Sequence, residues 1–254
     1  MTERELGRWP TGRAGRLAIV AAAVAVGSAL VYPVARGRLA DYRADKALAA
    51  AVGSIRAGGD PWENFTALQR AERETMDTTG AVAPSEQKRV TEREQRWLEE
   101  ALGQGNLVAA TALFPDPFRK DTPVYAPERF ASVRKAAMDR VLTAAEAALG
   151  HRGEHAYTDG WVLHAAANIH AAGTDQARNA AQAVQLYEAA YRAGDTLAAL
   201  GAARLNQELG RPEAAYRWAL QCLGPCQTQG FDLSEYQAGL TPKAIEQAQK
   251  GAAP

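Results

Sequence analysis

ARNAAQAVQLYEAAYRAGDTLAALGAARLNQELGRPEAAYRWALQCL, residues 177–223, decides the fold. An amphipathic helix runs to Gly194-Asp195, a second Ala-rich helix to Gly210-Arg211-Pro212, and a third begins there. Small residues stand where backbones must approach, and Leu or aromatic residues fill the remaining core positions. Glycine ends a helix in the left-handed conformation, and the Asp or Pro behind it opens the next. The stretch therefore predicts antiparallel helical pairs.

The rest of the chain agrees. In 254 residues no run of alternating β-branched residues appears, and aromatic content is low at 7%, so the expected class is all-α. With 29 basic and 29 acidic side chains the formal charge is zero. Binding to nucleic-acid phosphates demands a basic excess, so a nucleic-acid partner is not expected.

Residues 17–35, LAIVAAAVAVGSALVYPVA, carry no charge and have the length to cross a hydrocarbon core of roughly 20 helical residues. Arginines close both ends, and Trp9 and Tyr32 suit the interfaces. The run is longer than a signal peptide's apolar region and ends in Pro-Val-Ala-Arg, which favours a retained anchor over a cleaved signal or a buried helix. Basic residues balance across the span. The common solution for a short leading tail puts residues 1–16 in the cytoplasm and exports the large domain. Such a chain sits in the inner (cytoplasmic) membrane, touching the lipid bilayer through residues 17–35.

Behind the anchor, residues 36–84 read as juxtamembrane helices or a stalk. Asp60-Pro61-Trp62-Glu63 starts a helix there as N-cap, first helical residue and capping-box partner. Ser85 reads as the N-cap of the next domain, 86–250, followed by a tail, 251–254. A Pro-rich insertion at 114–127, FPDPFRKDTPVYAP, precludes a continuous helix and reads as a functional loop or a plain connection.

Self-similarity exists inside that domain. Trp97 to Ala109 and Tyr187 to Ala198 both read aromatic, acidic, Ala, then Gly followed by Asn or Asp, then Ala. The pattern resembles the Sel1-like repeat, a relative of the tetratricopeptide repeat. Val184 to Leu205 carries the likeness most fully, Ala214 to Ala219 resembles the first helix of a further unit, and Leu240 to Gln249 resembles a closing helix capped by Thr241. The resemblance implies an antiparallel helical-pair solenoid. It also implies a scaffold or adaptor that binds another protein, in an envelope, secretion or conjugation complex. Tyr187, Tyr191, Tyr216 and Trp218 are candidate partner anchors on its face, with core packing as the alternative.

Chemistry-bearing constellations are sparse. Cys222-Leu-Gly-Pro-Cys226 suits a disulfide across a turn better than a redox or zinc motif, with free thiols as the alternative. His151 with His155, and His164 with His170, lack metal-ligand or hydrolase spacing and read as surface or partly buried histidines. No phosphate loop, nucleophile elbow or catalytic pair is recognisable, so no catalytic residue, metal or cofactor is expected. A cell-envelope enzyme or a glycan-binding accessory factor is the alternative function.

Overall fold

The computed structural model describes residues 42, 46, 48–50, 52, 53, 55, 59–79, 84–119, 125, 127–150, 158–229 and 231–252. The anchor at 17–35, His151 and His155 lie outside them. Among the described residues no helix is long and apolar enough to cross a membrane, and all regular structure is helical. The fold divides into two compact units between Glu94 and Gln95.

In the unit ending at Glu94, α1 spans Pro61–Thr79 and the first part of α2 follows, the whole of α2 running Pro84–Gly103. Asp60 takes the expected capping role, its Oδ1 accepting from the Glu63 amide at 2.9 Å, with Pro61 the first helical residue. Ser85 does not cap: the helix already includes Pro84, whose fixed φ is tolerated in a first turn. Phe65, Leu68 and Val90 are buried, and the Gln87 amide donates to Glu72 Oε1 across the two helices at 2.6 Å.

In the unit beginning at Gln95 come α3 (Leu107–Thr111), α4 (Pro127–Gly150), α5 (Asp159–Ala172), α6 (Ala180–Arg192), α7 (Ala198–Glu208), α8 (Pro212–Gln221), α9 (Leu233–Gln237) and α10 (Pro242–Ala252). From α4 to α8 each helix packs on the next in the chain; α3 lies against α4 and α5, while α9 and α10 both cover α8. Alanines buried throughout α5 to α8, among them Ala166, Ala190, Ala199 and Ala203, let the backbones close in around Leu163, Ile169, Leu200 and Leu205. Each fully buried Leu or Ile contributes roughly 1.5–3 kcal/mol.

Three helix ends are built alike. At Gly105, Gly194 and Gly210, φ is +82, +99 and +68. In each, the glycine N–H donates three residues back and the following N–H five back: Gly105 to Leu102 and Asn106 to Ala101, Gly194 to Tyr191 and Asp195 to Ala190, Gly210 to Gln207 and Arg211 to Asn206. That double bond is the Schellman motif, which satisfies carbonyls the helix leaves open. Asn106 then caps α3 through the Ala109 amide, and Thr241 caps α10 through Ala244.

Candidate functional site

The chemistry gathers where residues 114–119, α5 and the α6–α7 turn meet, around His164. This residue is 7% exposed, in the middle of α5. Its Nδ1 stands 2.7 Å from Asp195 Oδ2 and its Nε2 3.0 Å from Asp116 Oδ2. Neutral imidazole has one donor and one acceptor, so either tautomer would aim a lone pair at a carboxylate; only the imidazolium donates both ways. Burial by itself disfavours the charged ring, but the hydrogen bonds and charges of the two aspartates prevail and lift its pKa to about 9. Asp195 answers in kind: burial pushes its carboxyl up, yet the His164 hydrogen bond and charge, the Leu197 amide and the Arg119 charge hold it below the usual value. Two carboxylates thus face one imidazolium, with the Arg119 field supplying further positive charge.

Local sequence explains how each group arrives. Asp195 follows Gly194, and its other oxygen accepts from the Leu197 amide at 3.1 Å. It therefore tightens the turn into α7 while its second oxygen reaches α5. Gly160 permits that reach, since a Cβ there would sit 3.3 Å from both the Ala193 carbonyl oxygen and Asp195 Cβ. One turn further along α5 comes His164, and one further still Asn168. Asp116 is fixed by the loop it belongs to: its Oδ1 accepts from the Phe118 amide at 2.8 Å. Asn168 donates to the Phe114 carbonyl at 2.8 Å and accepts from the Tyr187 hydroxyl at 2.6 Å, so the same face of α5 holds the loop at Phe114 and Asp116 and reaches α6.

Tyr187 covers the cluster. Its ring meets His164 edge-on at 5.3 Å and Phe118 at 6.3 Å, and Gly201 of α7 leaves the room it needs. Burial and the fields of Asp116 and Asp195 push its phenol well above the ordinary pKa, so the hydroxyl remains a donor to Asn168. Each ring nitrogen of His164 is occupied by an aspartate on an opposite side, which leaves no convergent set for a metal; among the described residues no cluster of three His, Cys, Asp or Glu side chains has that arrangement.

The predicted anchors separate. Tyr187 and Tyr216 are 0% and 1% exposed. Neither offers its ring to a partner, because α6 and α8 turn those positions inward onto α5–α7 and the α8–α10 cluster respectively. Tyr191 and Trp218 are half-buried and form an edge-to-face pair 5.3 Å apart. The Tyr191 hydroxyl donates to Gln221 Oε1 and the Trp218 indole N–H to Glu188 Oε1. Cys222 and Cys226 are bonded, with Cα atoms 5.0 Å apart, and both are fully buried. His170 is partly buried, which holds its pKa below the ordinary value, and it contacts Gln176.

The sequence reads His164 as a surface or partly buried histidine, whereas α5 buries it, and it gives no sign of Asp116 or of most of the role of Asp195. A usable signal exists: Gly160, His164 and Asn168 recur every fourth residue, and every position between them is apolar.

In the unit ending at Glu94, Glu94 is 8% exposed, and among the described residues its Oε1 has no hydrogen-bond partner. Burial first, then the charge of Glu72, raises its carboxyl to about 7.

No family model, curated protein or solved structure matches the chain.

Proposed function

We propose that the chain is a membrane-anchored adaptor whose stacked helical pairs, of Sel1-like construction, bind another protein on the exported side of the inner membrane. The observation that carries this reading is the threefold recurrence of one helix ending, at Gly105, Gly194 and Gly210. Repeating a helix-turn unit builds extended faces suited to peptides and partner domains. The carboxylates that converge in the fold meet on a buried imidazole rather than in a cleft, which favours an adaptor over an envelope enzyme or glycan-binding factor. Residues 17–35 supply the anchor in this reading. The bonded cysteine pair supports export, because disulfides persist in oxidising compartments.

Tyr191 and Trp218 keep the partner-binding role. The test is affinity capture from crosslinked membranes with the full chain and with a Tyr191→Ala/Trp218→Ala variant of unchanged helical content. One protein reproducibly enriched by the parent and lost with the variant is expected. Enrichment indistinguishable from empty resin would count against the adaptor. Reporter fusions at the C-terminus test the topology; a reporter active only in the cytoplasm would reverse it.

A further inference from the structure

The bonded sulfurs of Cys222 and Cys226 form one buried cluster with Ala199 and Leu200 of α7. Phe118, from the Pro-rich loop, packs on that cluster. The same ring meets Tyr187, whose ring meets His164. Residues 114–119 are therefore held from two sides. Asp116 and the Phe114 carbonyl are bonded to His164 and Asn168 on α5, while Phe118 rests on the disulfide-bearing shelf.

We propose that the disulfide and the Asp116–His164–Asp195 cluster form one redox-sensitive latch, in which reducing Cys222–Cys226 removes the Phe118 hold on residues 114–119, raising their opening, while the helix pairs stay folded. The helices do not need the crosslink. α7 and α8 pack on each other directly, and the bond closes only a four-residue separation, where little loop entropy is at stake. At the shelf the crosslink adds to a single backbone bond, Cys226 N–H to the Cys222 carbonyl at 3.0 Å, across a turn that is exposed from Leu223 to Pro225 and reverses at Gly224, φ +95. With the disulfide broken, that turn and its two buried sulfurs lose their fixed position under Phe118.

The reductant is a dithiol. Its thiolate attacks one protein sulfur, the S–S bond breaks as a mixed disulfide forms, and its second thiol displaces the protein sulfur. Two cysteine thiols result, and the dithiol is oxidised to its own disulfide. Both sulfurs are covered, so the reaction proceeds through opening of the Leu223–Pro225 turn.

The experiment is limited trypsinolysis of the full chain in detergent, following cleavage after Arg119 by mass spectrometry with and without dithiothreitol. Proteolysis in this regime reports the open population of the loop. Reduction is expected to speed that cleavage about tenfold while the helical circular dichroism is unchanged, a shift of about 1.4 kcal/mol in loop opening. A Cys222→Ser/Cys226→Ser variant is expected to show the fast rate without reductant. Phe118→Ala tests the coupling: the oxidised variant should already cleave fast, and reduction should add less than about twofold. Equal rates in both redox states would overturn the latch. So would an undiminished tenfold response in Phe118→Ala, or loss of helical signal on reduction.

Discussion

Removing the His164 imidazole leaves Asp116 and Asp195 facing each other without their shared donor. Breaking a buried ion pair from one side costs about 3–5 kcal/mol, because the surviving charge has lost both water and partner. His164→Ala is therefore expected to lower the unfolding free energy measured by denaturant titration by that amount, at unchanged helical content before the transition. A loss under about 1 kcal/mol, the size of an exposed pair, would contradict the burial. The pH profile carries a second expectation. His164 has a folded pKa of about 9 against an ordinary 6.5. Its contribution is therefore complete below about 6.5 and is lost as pH rises through about 9. Glu94, raised from 4.5 to about 7, acts with the same sign in a lower window. Asp195 acts oppositely, its held-down carboxyl losing its contribution only as pH falls below the ordinary carboxylate range. Stability measured in a Glu94→Gln background should fall between pH 7 and 9.5, and His164→Ala should flatten that limb. A limb of the same slope in both proteins would place the titration elsewhere.

Among the helices, two close approaches fix the arrangement. Gly201 lies under the Tyr187 ring, where an added Cβ would come within 2.5 Å of Cζ and 2.6 Å of Cε2. Tyr187 is fully buried and bonded through its hydroxyl, so it cannot swing aside. Gly201→Ala should cost at least about 1–3 kcal/mol, the range for overpacking, despite alanine's better helix propensity. Thermal unfolding checks it, and a stabilised variant would show that α6 and α7 are further apart than described. Gly194→Ala has open space around its Cβ, yet φ is +99, so its expected cost is backbone strain of about 1–2 kcal/mol.

These elements are largely legible in the sequence, because caps and glycine ends are written within a few residues: Asp60-Pro61, Gly105-Asn106, Gly194, Thr241-Pro242. The His164 cluster is not. Its partners lie 48 and 31 residues away along the chain, beyond the reach of any helical spacing rule. Asp195 reads from the sequence as the cap of α7, but Leu197 holds that place; one Asp195 oxygen closes the turn onto the Leu197 amide and the other reaches His164. Asp116 sat in a Pro-rich stretch that gives no periodicity from which burial can be inferred. Tyr187 and Tyr216 show the same limit, since a helix pattern finds an aromatic face without revealing which neighbour covers it.

At the scale of the molecule, the buried imidazolium is where the loop at 114–119, α5 and the α6–α7 turn become one body beginning at Gln95. That rigidity suits the proposed adaptor role, since a face ordered before binding loses less freedom on capture. The most direct measurement is the nitrogen and proton NMR titration of His164 in protein labelled at histidine. Both ring nitrogens are expected to be protonated at pH 7.5 and to titrate near 9, with hydrogen bonds to two carboxylates. A neutral His164 at pH 7.5, titrating at or below 6.5, would contradict the ion cluster and the architecture that rests on it.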